Sequence, residues 1–447
     1  MLKFIFTVFV GTVVAISANA LEFDRYELEN GLEVIVVPDH RAPVVVNFVW
    51  YRIGAADEVA GKTGIAHVLE HLMFKGTNDI PPGEFSKIIA RNGGKDNAFT
   101  SLDYTAYYQK IAKDRLEVAM RMEADRMANL KLENKDFLTE RDVVLEERRW
   151  RVESKPVSRF YEALQSEFLK KHPYGRPVIG WKGDLEGLTR QDGLDWYSKG
   201  YAPNNATLIL VGDITLEEAK PLVAKTYGKV AKRDVDRAAW NVEKIFESPK
   251  VYRKIDEEVK VPNYLEMYRA PSRFAGVAGS TEGTTDALAL SLAVDILGGG
   301  KTSRLYKELV QEQKILTAVS AGYTAVMRSE SSVDISAQPK QNIKLSKVES
   351  AIKEVVDNFI EKGVTSKELE QARSMMLATD VYARDDPFVS AYHLGKWIVS
   401  GGKAEDFDNW LDEVKAITTD DIQRVAAKYL AGKNKITGYL AANEADF

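Results

Sequence analysis

The chain has 447 residues, of which 45% are hydrophobic and 28% are charged, and its formal net charge is −5. This length predicts two or three domains, and the slight acidity argues against a nucleic-acid partner or an anionic membrane surface. The sequence contains no cysteine, which excludes cysteine ligands, cysteine nucleophiles and disulfides. We therefore expect a globular protein that depends on its hydrophobic core.

The first twenty residues have the features of a secretory signal peptide. Lys3 precedes an apolar run at 4–16, and Ala18-Asn19-Ala20 is a typical cleavage signal. The run is shorter than the roughly 20 residues of a membrane-spanning helix. The sequence predicts a signal peptide at 1–20, an exported mature chain from Leu21 and no membrane span after cleavage. A bacterial periplasm is favoured, because the segment lacks the arginine-rich character of a mitochondrial presequence; an uncleaved N-terminal anchor is the alternative.

The mature chain opens with predicted strands. Residues 22–39 predict a hairpin around Asn30-Gly31, and residues 44–51 predict another strand. A helix is predicted to begin near Thr63, whose hydroxyl would cap its first turn. The next predicted elements are a helix at 86–92, a strand or edge pair at 97–108, helices at 115–130, 136–150 and 191–201, and a strand at 206–212.

His67 and His71 lie four residues apart with Glu70 between them. On a helix the two imidazoles are about 40° apart and Glu70 lies about 60° to the other side of His67, so one face presents all three groups. Neutral imidazole is a good zinc ligand, and a carboxylate beside the metal can take a proton from water. Two core histidines that share a face by chance are the alternative, but the chain has only five histidines. The motif therefore predicts a metal site.

Two histidines leave a tetrahedral zinc short of one protein ligand. On a helix Glu140 and Glu147 share a face, whereas Glu146 points about 100° away from Glu147. Spacing alone does not choose among the acidic residues, because most glutamates are solvated surface charges.

A weak internal repeat divides the chain into two halves. Residues 188–211 align without gaps with residues 417–440, and each segment contains a T-x-x-D helix start, a short turn and a closing strand. Chance similarity is the alternative, but the position of each segment at the end of a half favours a duplicated α+β unit. The predicted domains are 21–235 and 249–447, joined by a charged, aperiodic linker at 236–248.

These motifs resemble those of the M16 peptidase family, also called the pitrilysin or inverzincin family. The resemblance is strongest to half-length members similar to the mitochondrial processing peptidase subunits. The matching segments are His67 to Thr77, Asn97 to Thr105, Glu140 to Glu147, and Gly298 to Tyr306.

The resemblance implies an α+β fold of two homologous α/β-sandwich domains, of which only the first binds metal. It implies one Zn²⁺ per chain, held by His67, His71 and Glu147. Glu70 would be the general base that activates water, and Glu140 a further carboxylate that supports the ligand geometry.

The resemblance also implies a substrate-binding strand. Asn97, Ala98 and Phe99 would lie on a sheet edge and pair with an extended substrate by β-augmentation; ordinary packing for Phe99 and a turn for Asn97 are the alternatives. The implied function is that of an exported zinc metalloendopeptidase acting on peptides or unfolded polypeptide segments. A non-catalytic interaction subunit with the same fold is the rival interpretation.

One part of the family pattern is missing. Active members carry in the second domain an arginine and a tyrosine, seven residues apart, that hold substrate and stabilise the oxyanion. Alignment from Arg304-Leu305 places these positions at Val310 and Thr317, which have no suitable donor groups. The resemblance therefore implies a homologous, zinc-free partner subunit that supplies the pair in a heterodimer, with a homodimer of altered activity as the alternative.

Overall fold

The computed structural model describes residues 21–235, 237, 240, 246–277, 284–432 and 434–447. The predicted signal peptide and most of the predicted linker lie outside these residues. Within the described part of the chain, no helix has the length and apolar character of a membrane span.

The first half of the chain forms a six-stranded sheet. Its strands are β1 (Asp24–Glu27), β2 (Glu33–Pro38), β3 (Val44–Tyr51), β4 (Lys95–Thr100), β5 (Thr105–Ala112) and β6 (Ala206–Gly212). Their order is β1-β2-β6-β3-β5-β4, and only β2 and β6 are parallel neighbours. Every residue of β6 is buried, because helices cover both faces of the sheet. This explains why its sequence is continuously apolar instead of alternating.

The described part of the first half also contains eight helices. They are α1 (Ile65–Leu72), α2 (Glu84–Arg91), α3 (Leu116–Asn129), α4 (Asn134–Arg148), α5 (Pro156–Phe168), α6 (Lys182–Gly187), α7 (Arg190–Gly200) and α8 (Leu216–Lys225). Helix α4 continues directly into a π-helical segment at Arg149–Glu153.

The second half forms a five-stranded sheet in the order β7-β11-β8-β10-β9. Its strands are β7 (Lys250–Ile255), β8 (Asn263–Ala270), β9 (Leu316–Tyr323), β10 (Ser331–Pro339) and β11 (Lys435–Ala441). Its helices are α9 (Ala287–Gly298), α10 (Leu345–Lys362), α11 (Ser366–Arg384), α12 (Pro387–Val399), α13 (Asn409–Ala416) and α14 (Thr419–Tyr429), with a π-helical segment at Tyr306–Glu312.

The internal repeat corresponds to equivalent elements in the two halves. Helix α7 with β6 matches α14 with β11, and each helix begins with a capping box, formed by Thr189 with Asp192 and by Thr418 with Asp421. Strands β6 and β11 each lie between one parallel and one antiparallel neighbour. The predicted duplicated α+β unit is confirmed, whereas the exact domain bounds stay a prediction.

Each half contributes one helix to the sheet of the other half. Helix α12 packs on β3 and β6 of the first sheet, where a Cβ atom on Gly395 would overlap the ring of Trp50. Helix α5 packs on β11 of the second sheet, where a Cβ atom on Gly438 would press against Phe160 and Leu164. The remaining helices cover the opposite faces. The central strands β3, β6, β8 and β11 are therefore buried on two sides, whereas β9 and β10 keep exposed residues on one face.

Thr63 does not cap α1, contrary to the sequence-based prediction. Its hydroxyl donates to Asp184 at 2.6 Å, and the N-cap residue is Gly64. The N–H groups of Gly64 and Ala66 instead donate to the carboxylate of Glu58, each at 2.9 Å. The prediction was wrong because a carboxylate from the preceding loop satisfies the first amides of the helix.

Candidate metal centre

Helices α1 and α4 pack against each other and bring three potential ligands together. The Nε2 atoms of His67 and His71 lie 3.7 Å and 3.6 Å from Oε2 of Glu147. One ligand atom from each of the three side chains lies within 4.8 Å of the others. Two imidazole nitrogens and one carboxylate oxygen form a donor set that suits zinc and leaves a tetrahedral position open. The residues present therefore fit the predicted ion.

The pKa values of the two histidines are shifted in opposite directions. Burial lowers the pKa of His67 to about 3, and the nearby His71 and Arg151 act in the same direction. Burial also acts to lower the pKa of His71, but a hydrogen bond with Glu140 and the surrounding carboxylates outweigh it and raise that pKa above its usual value. His67 is therefore held neutral, with a lone pair free for a metal.

Glu140 orients His71. One oxygen of the Glu140 carboxylate lies 3.2 Å from Nδ1 of His71, and the other lies 2.6 Å from Nζ of Lys75. The hydrogen bond with His71 lowers the pKa of Glu140, against the effect of burial and with the help of Lys75. An ionised Glu140 accepts the Nδ1 proton of His71, which leaves Nε2 as the nitrogen that faces Glu147.

Glu70 lies on the same helix as the histidines and faces strand β4. The hydroxyl of Thr100 donates to its Oε2 at 2.6 Å. Burial raises the pKa of Glu70, and the hydrogen bond from Thr100 opposes that shift. The carboxylate is thus fixed in direction and more basic than an exposed glutamate.

The residues predicted to bind substrate lie on an edge strand. Among the strands of the described residues, β4 pairs with β5 alone, and along it Asn97 is exposed, Ala98 buried and Phe99 half-buried. The N–H of Ala98 donates to Oδ1 of its neighbour Asn97 at 2.9 Å. The ring of Phe99 packs 5.6 Å from the rings of Trp50 and Tyr392. Asn97 therefore lies in a strand and not in a turn. Phe99 lies on the edge strand and also packs against neighbouring aromatic rings.

The second half has neither an arginine nor a tyrosine at the two family positions. Val310 is half-buried against the core of that half, and the exposed Thr317 donates to the carbonyl of Gln338 at 3.1 Å. The nearby Arg304 forms an ion pair with Glu368 at 2.8 Å, so its guanidinium is already engaged within the second half. Neither Val310 nor Thr317 is therefore suited to stabilise an oxyanion.

A cavity of about 1230 Å³ lies between α9, α11 and α12 in the second half. None of the metal-site residues lines it. The candidate site is therefore identified by its donor atoms and not by cavity size.

Three residues at the site were not predicted from the sequence. Lys75 lies four residues after His71, and Arg151 four residues after Glu147, a spacing that places each cation near the preceding residue on a helix. Nη1 of Arg151 lies 2.8 Å from Oε1 of Glu147. Thr100 reaches the site from another element, so no local pattern could have identified it.

Sequence models of one peptidase family match most of the described chain. The model described as "Insulinase (Peptidase family M16)" matches residues 33–182, and that described as "Peptidase M16 inactive domain" matches residues 187–376. The chain therefore belongs to the M16 peptidase family, and the predicted family and fold are confirmed.

Relatives of about the same length as this chain are named as zinc proteases. "Zinc protease PqqE" of Helicobacter pylori is 28% identical over 414 residues, covering 92% of this chain and 91% of the relative. "Uncharacterized zinc protease YmxG" of Bacillus subtilis is 25% identical over 403 residues, covering 90% and 94%. These comparisons support a zinc protease of the half-length type.

Solved structures show the same architecture. A protease from Helicobacter pylori superposes with a TM-score of 0.87 at 28% identity, covering 94% of this chain and 100% of that chain. The periplasmic protease PqqL from Escherichia coli superposes with a TM-score of 0.78 at 20% identity, covering 96% of this chain but 49% of the longer protein. The second likeness shows the fold alone.

Proposed function

We propose that this chain is an exported zinc metalloendopeptidase that hydrolyses peptides or unfolded polypeptide segments. The observation that carries the proposal is the convergence of His67, His71 and Glu147 on one point, beside the buried carboxylate of Glu70. The names of the relatives support the same reaction class. The predicted signal peptide at 1–20 supports export, with a bacterial periplasm as the location.

The residues of the site have complementary tasks in this reaction. His67, His71 and Glu147 would hold a zinc ion, which would supply the positive charge that polarises a water molecule and the substrate carbonyl. Glu70 accepts the proton of the attacking water and later delivers it to the leaving amine. Its burial supports this role because a raised pKa makes a carboxylate a better base. Glu140 holds His71 in the tautomer that presents Nε2.

Strand β4 provides a place for the substrate backbone. An extended peptide added beside β4 would continue the sheet and pass in front of Glu70, which β4 contacts through Thr100. The N–H of Ala98 is paired with a side chain of its own strand. A peptide carbonyl can therefore replace that contact when the Asn97 side chain turns away.

A homologous subunit would complete the enzyme. Val310 and Thr317 supply no oxyanion donor, and the solved PqqL chain is about twice as long, since this chain covers 49% of it. We infer that a zinc-free M16 subunit contributes the arginine–tyrosine pair in a heterodimer. A homodimer is the alternative that activity of the isolated chain would support.

The decisive experiment compares wild-type Leu21–Phe447 with Glu70→Gln, using zinc analysis and cleavage of a mixed pool of unstructured peptides. We expect Glu70→Gln to retain zinc and lose turnover by about 10²–10⁴-fold, as for removal of a general base. Glu147→Gln should lose zinc. Glu146→Gln is the matched control, since this neighbour is 74% exposed, and it should behave as wild type.

Each other outcome has a distinct meaning. A wild-type chain without zinc would contradict the metal site. Zinc without turnover would call for adding the homologous subunit, and continued inactivity of that mixture would favour the non-catalytic interaction protein. Full turnover by the isolated chain would contradict the need for an external arginine–tyrosine pair.

A further inference from the structure

The two oxygens of the Glu147 carboxylate have different surroundings. Oε2 faces the two imidazoles, at 3.7 Å from Nε2 of His67 and 3.6 Å from Nε2 of His71. Oε1 lies 2.8 Å from Nη1 of Arg151, in the π-helical segment that directly follows α4. One oxygen is thus available to a metal, and the other is engaged by a cation.

Glu140 has the same arrangement on the other side of the site. Its Oε2 meets Nδ1 of His71 at 3.2 Å, and its Oε1 meets Nζ of Lys75 at 2.6 Å. Both carboxylates therefore present one oxygen to the site and bind a cation with the other. The repetition of this arrangement argues against an incidental surface contact at Arg151.

The number of oxygens that Glu147 offers affects the metal geometry. A carboxylate that turns and binds through both oxygens adds a ligand and crowds the position that water needs in a tetrahedral catalytic site. A charge-assisted contact that engages Oε1 opposes this rotation. We propose that Arg151 is a positioning residue that keeps Glu147 in one-oxygen coordination and so keeps the water position open. This inference rests on the proposed zinc site.

Arg151 has little part in folding. Its side chain is 59% exposed, and exposed ion pairs contribute little to stability because solvent screens them. The effect of removing it is therefore expected at the metal and not in the unfolding transition. This separates a positioning role from a structural one.

The test measures metal binding in Arg151→Gln and Arg151→Lys. Arg149→Gln is the matched control, because Arg149 is 72% exposed and only approaches Glu146, at 3.6 Å. Zinc affinity is measured by competition with a chelator, and metal geometry by the visible spectrum of the Co²⁺-substituted protein. Thermal unfolding of the metal-free proteins is recorded as well.

We expect Arg151→Gln to weaken zinc binding by about 10–100-fold, as is typical for residues that orient a metal ligand. Its Co²⁺ spectrum should be less intense than that of the wild type, because a higher coordination number weakens these bands. Arg151→Lys should recover part of the affinity, and Arg149→Gln should match the wild type. The metal-free variants should unfold as the wild type does.

Wild-type affinity and spectrum in Arg151→Gln would overturn the inference while leaving the proposed function intact. Equal effects of Arg149→Gln and Arg151→Gln would also overturn it, because they would indicate a general effect of charge. Failure of the wild-type chain itself to bind zinc would instead contradict the proposed function. The two failures are therefore distinguishable.

Discussion

At the scale of single residues, the two histidines of α1 differ in how they respond to protons. His67 lies among apolar groups and cations, which lower its pKa to about 3. His71 faces carboxylates, and its pKa is raised above the usual value despite burial. As the pH falls, His71 in the metal-free protein is therefore protonated first, while His67 remains neutral.

This order predicts the pH dependence of zinc binding. Zinc competes with protons for imidazole nitrogen, so affinity should fall as the pH drops through the raised pKa of His71, and not near pH 3. Glu140→Gln removes the main group that raises this pKa, so the decline should move to lower pH even though affinity at high pH weakens. Chelator competition across pH measures both effects. An unchanged midpoint in Glu140→Gln would contradict this assignment.

The residues of the site were predictable to different degrees. His67, Glu70 and His71 lie within one helical turn, so their spacing defined a common face. Glu147 is brought to them by the packing of α4 on α1, which spacing alone could not establish; the family resemblance supplied it. Arg151 follows Glu147 by four residues, but this sequence signal is shared with ordinary surface ion pairs.

At the scale of elements, strand β4 offers a specific test of substrate pairing. The N–H of Ala98 donates to Asn97 and points away from β5, whereas alternation in an antiparallel ladder directs the N–H of Phe99 toward β5. Ala98→Pro should therefore raise the KM for peptides while zinc content stays unchanged, since proline is tolerated on an edge. Phe99→Pro should instead lower the stability of the sheet.

Peptide kinetics, zinc analysis and thermal unfolding of the two variants check this expectation. Unchanged KM in Ala98→Pro would contradict pairing of the substrate at this amide. Loss of zinc or of folding in Ala98→Pro would contradict the direction assigned to its N–H group.

Local patterns predicted many elements well. Strand β3 spans 44–51 as predicted, and the helix–strand pair of the internal repeat recurs in both halves. The cap of α1 was predicted wrongly, because Asp184 in the first turn of α6 engages the hydroxyl of Thr63. Such a tertiary contact leaves no local pattern in the sequence.

A second element-scale prediction concerns the start of α1. Glu58 accepts N–H groups from Gly64 and Ala66, and its removal would leave buried donors unpaired. Glu58→Ala should therefore lower the free energy of unfolding by about 1–3 kcal/mol and weaken zinc binding through fraying of α1. Glu257→Ala, at an exposed loop position, is the control for denaturant unfolding. Equal stability of the two variants would contradict the capping role.

At the scale of the whole molecule, the crossed helices depend on small residues. Alanine at Gly395 would place a Cβ atom in the ring of Trp50, which in turn packs on Phe99 of β4. Gly395→Ala should therefore lower the free energy of unfolding by about 1–3 kcal/mol, as is typical of overpacking. Gly183→Ala, in α6 with no neighbour within 4 Å, should instead stabilise slightly. Denaturant unfolding compares the two, and stabilisation by Gly395→Ala would contradict the close approach of α12.

Which helix covers which sheet could not be predicted from the sequence. The apolar faces of α5 and α12 indicate burial but do not specify a partner. Both helices cross to the opposite sheet, so the two halves share two cores in addition to their own.

The crossing of these helices sets an order in which the two shared cores can form as the chain emerges. The first sheet is complete once Gly212 has been made, but α12 begins only at Pro387. Until then the aromatic face that carries Phe48 and Trp50 has no cover, and exposed surfaces of this kind invite aggregation. For the second sheet the order is reversed, because the covering helix α5 is synthesised before any strand of that sheet. A chain that has emerged only through its first half therefore leaves this apolar face open, and the first sheet is covered on both sides only after α12 has emerged.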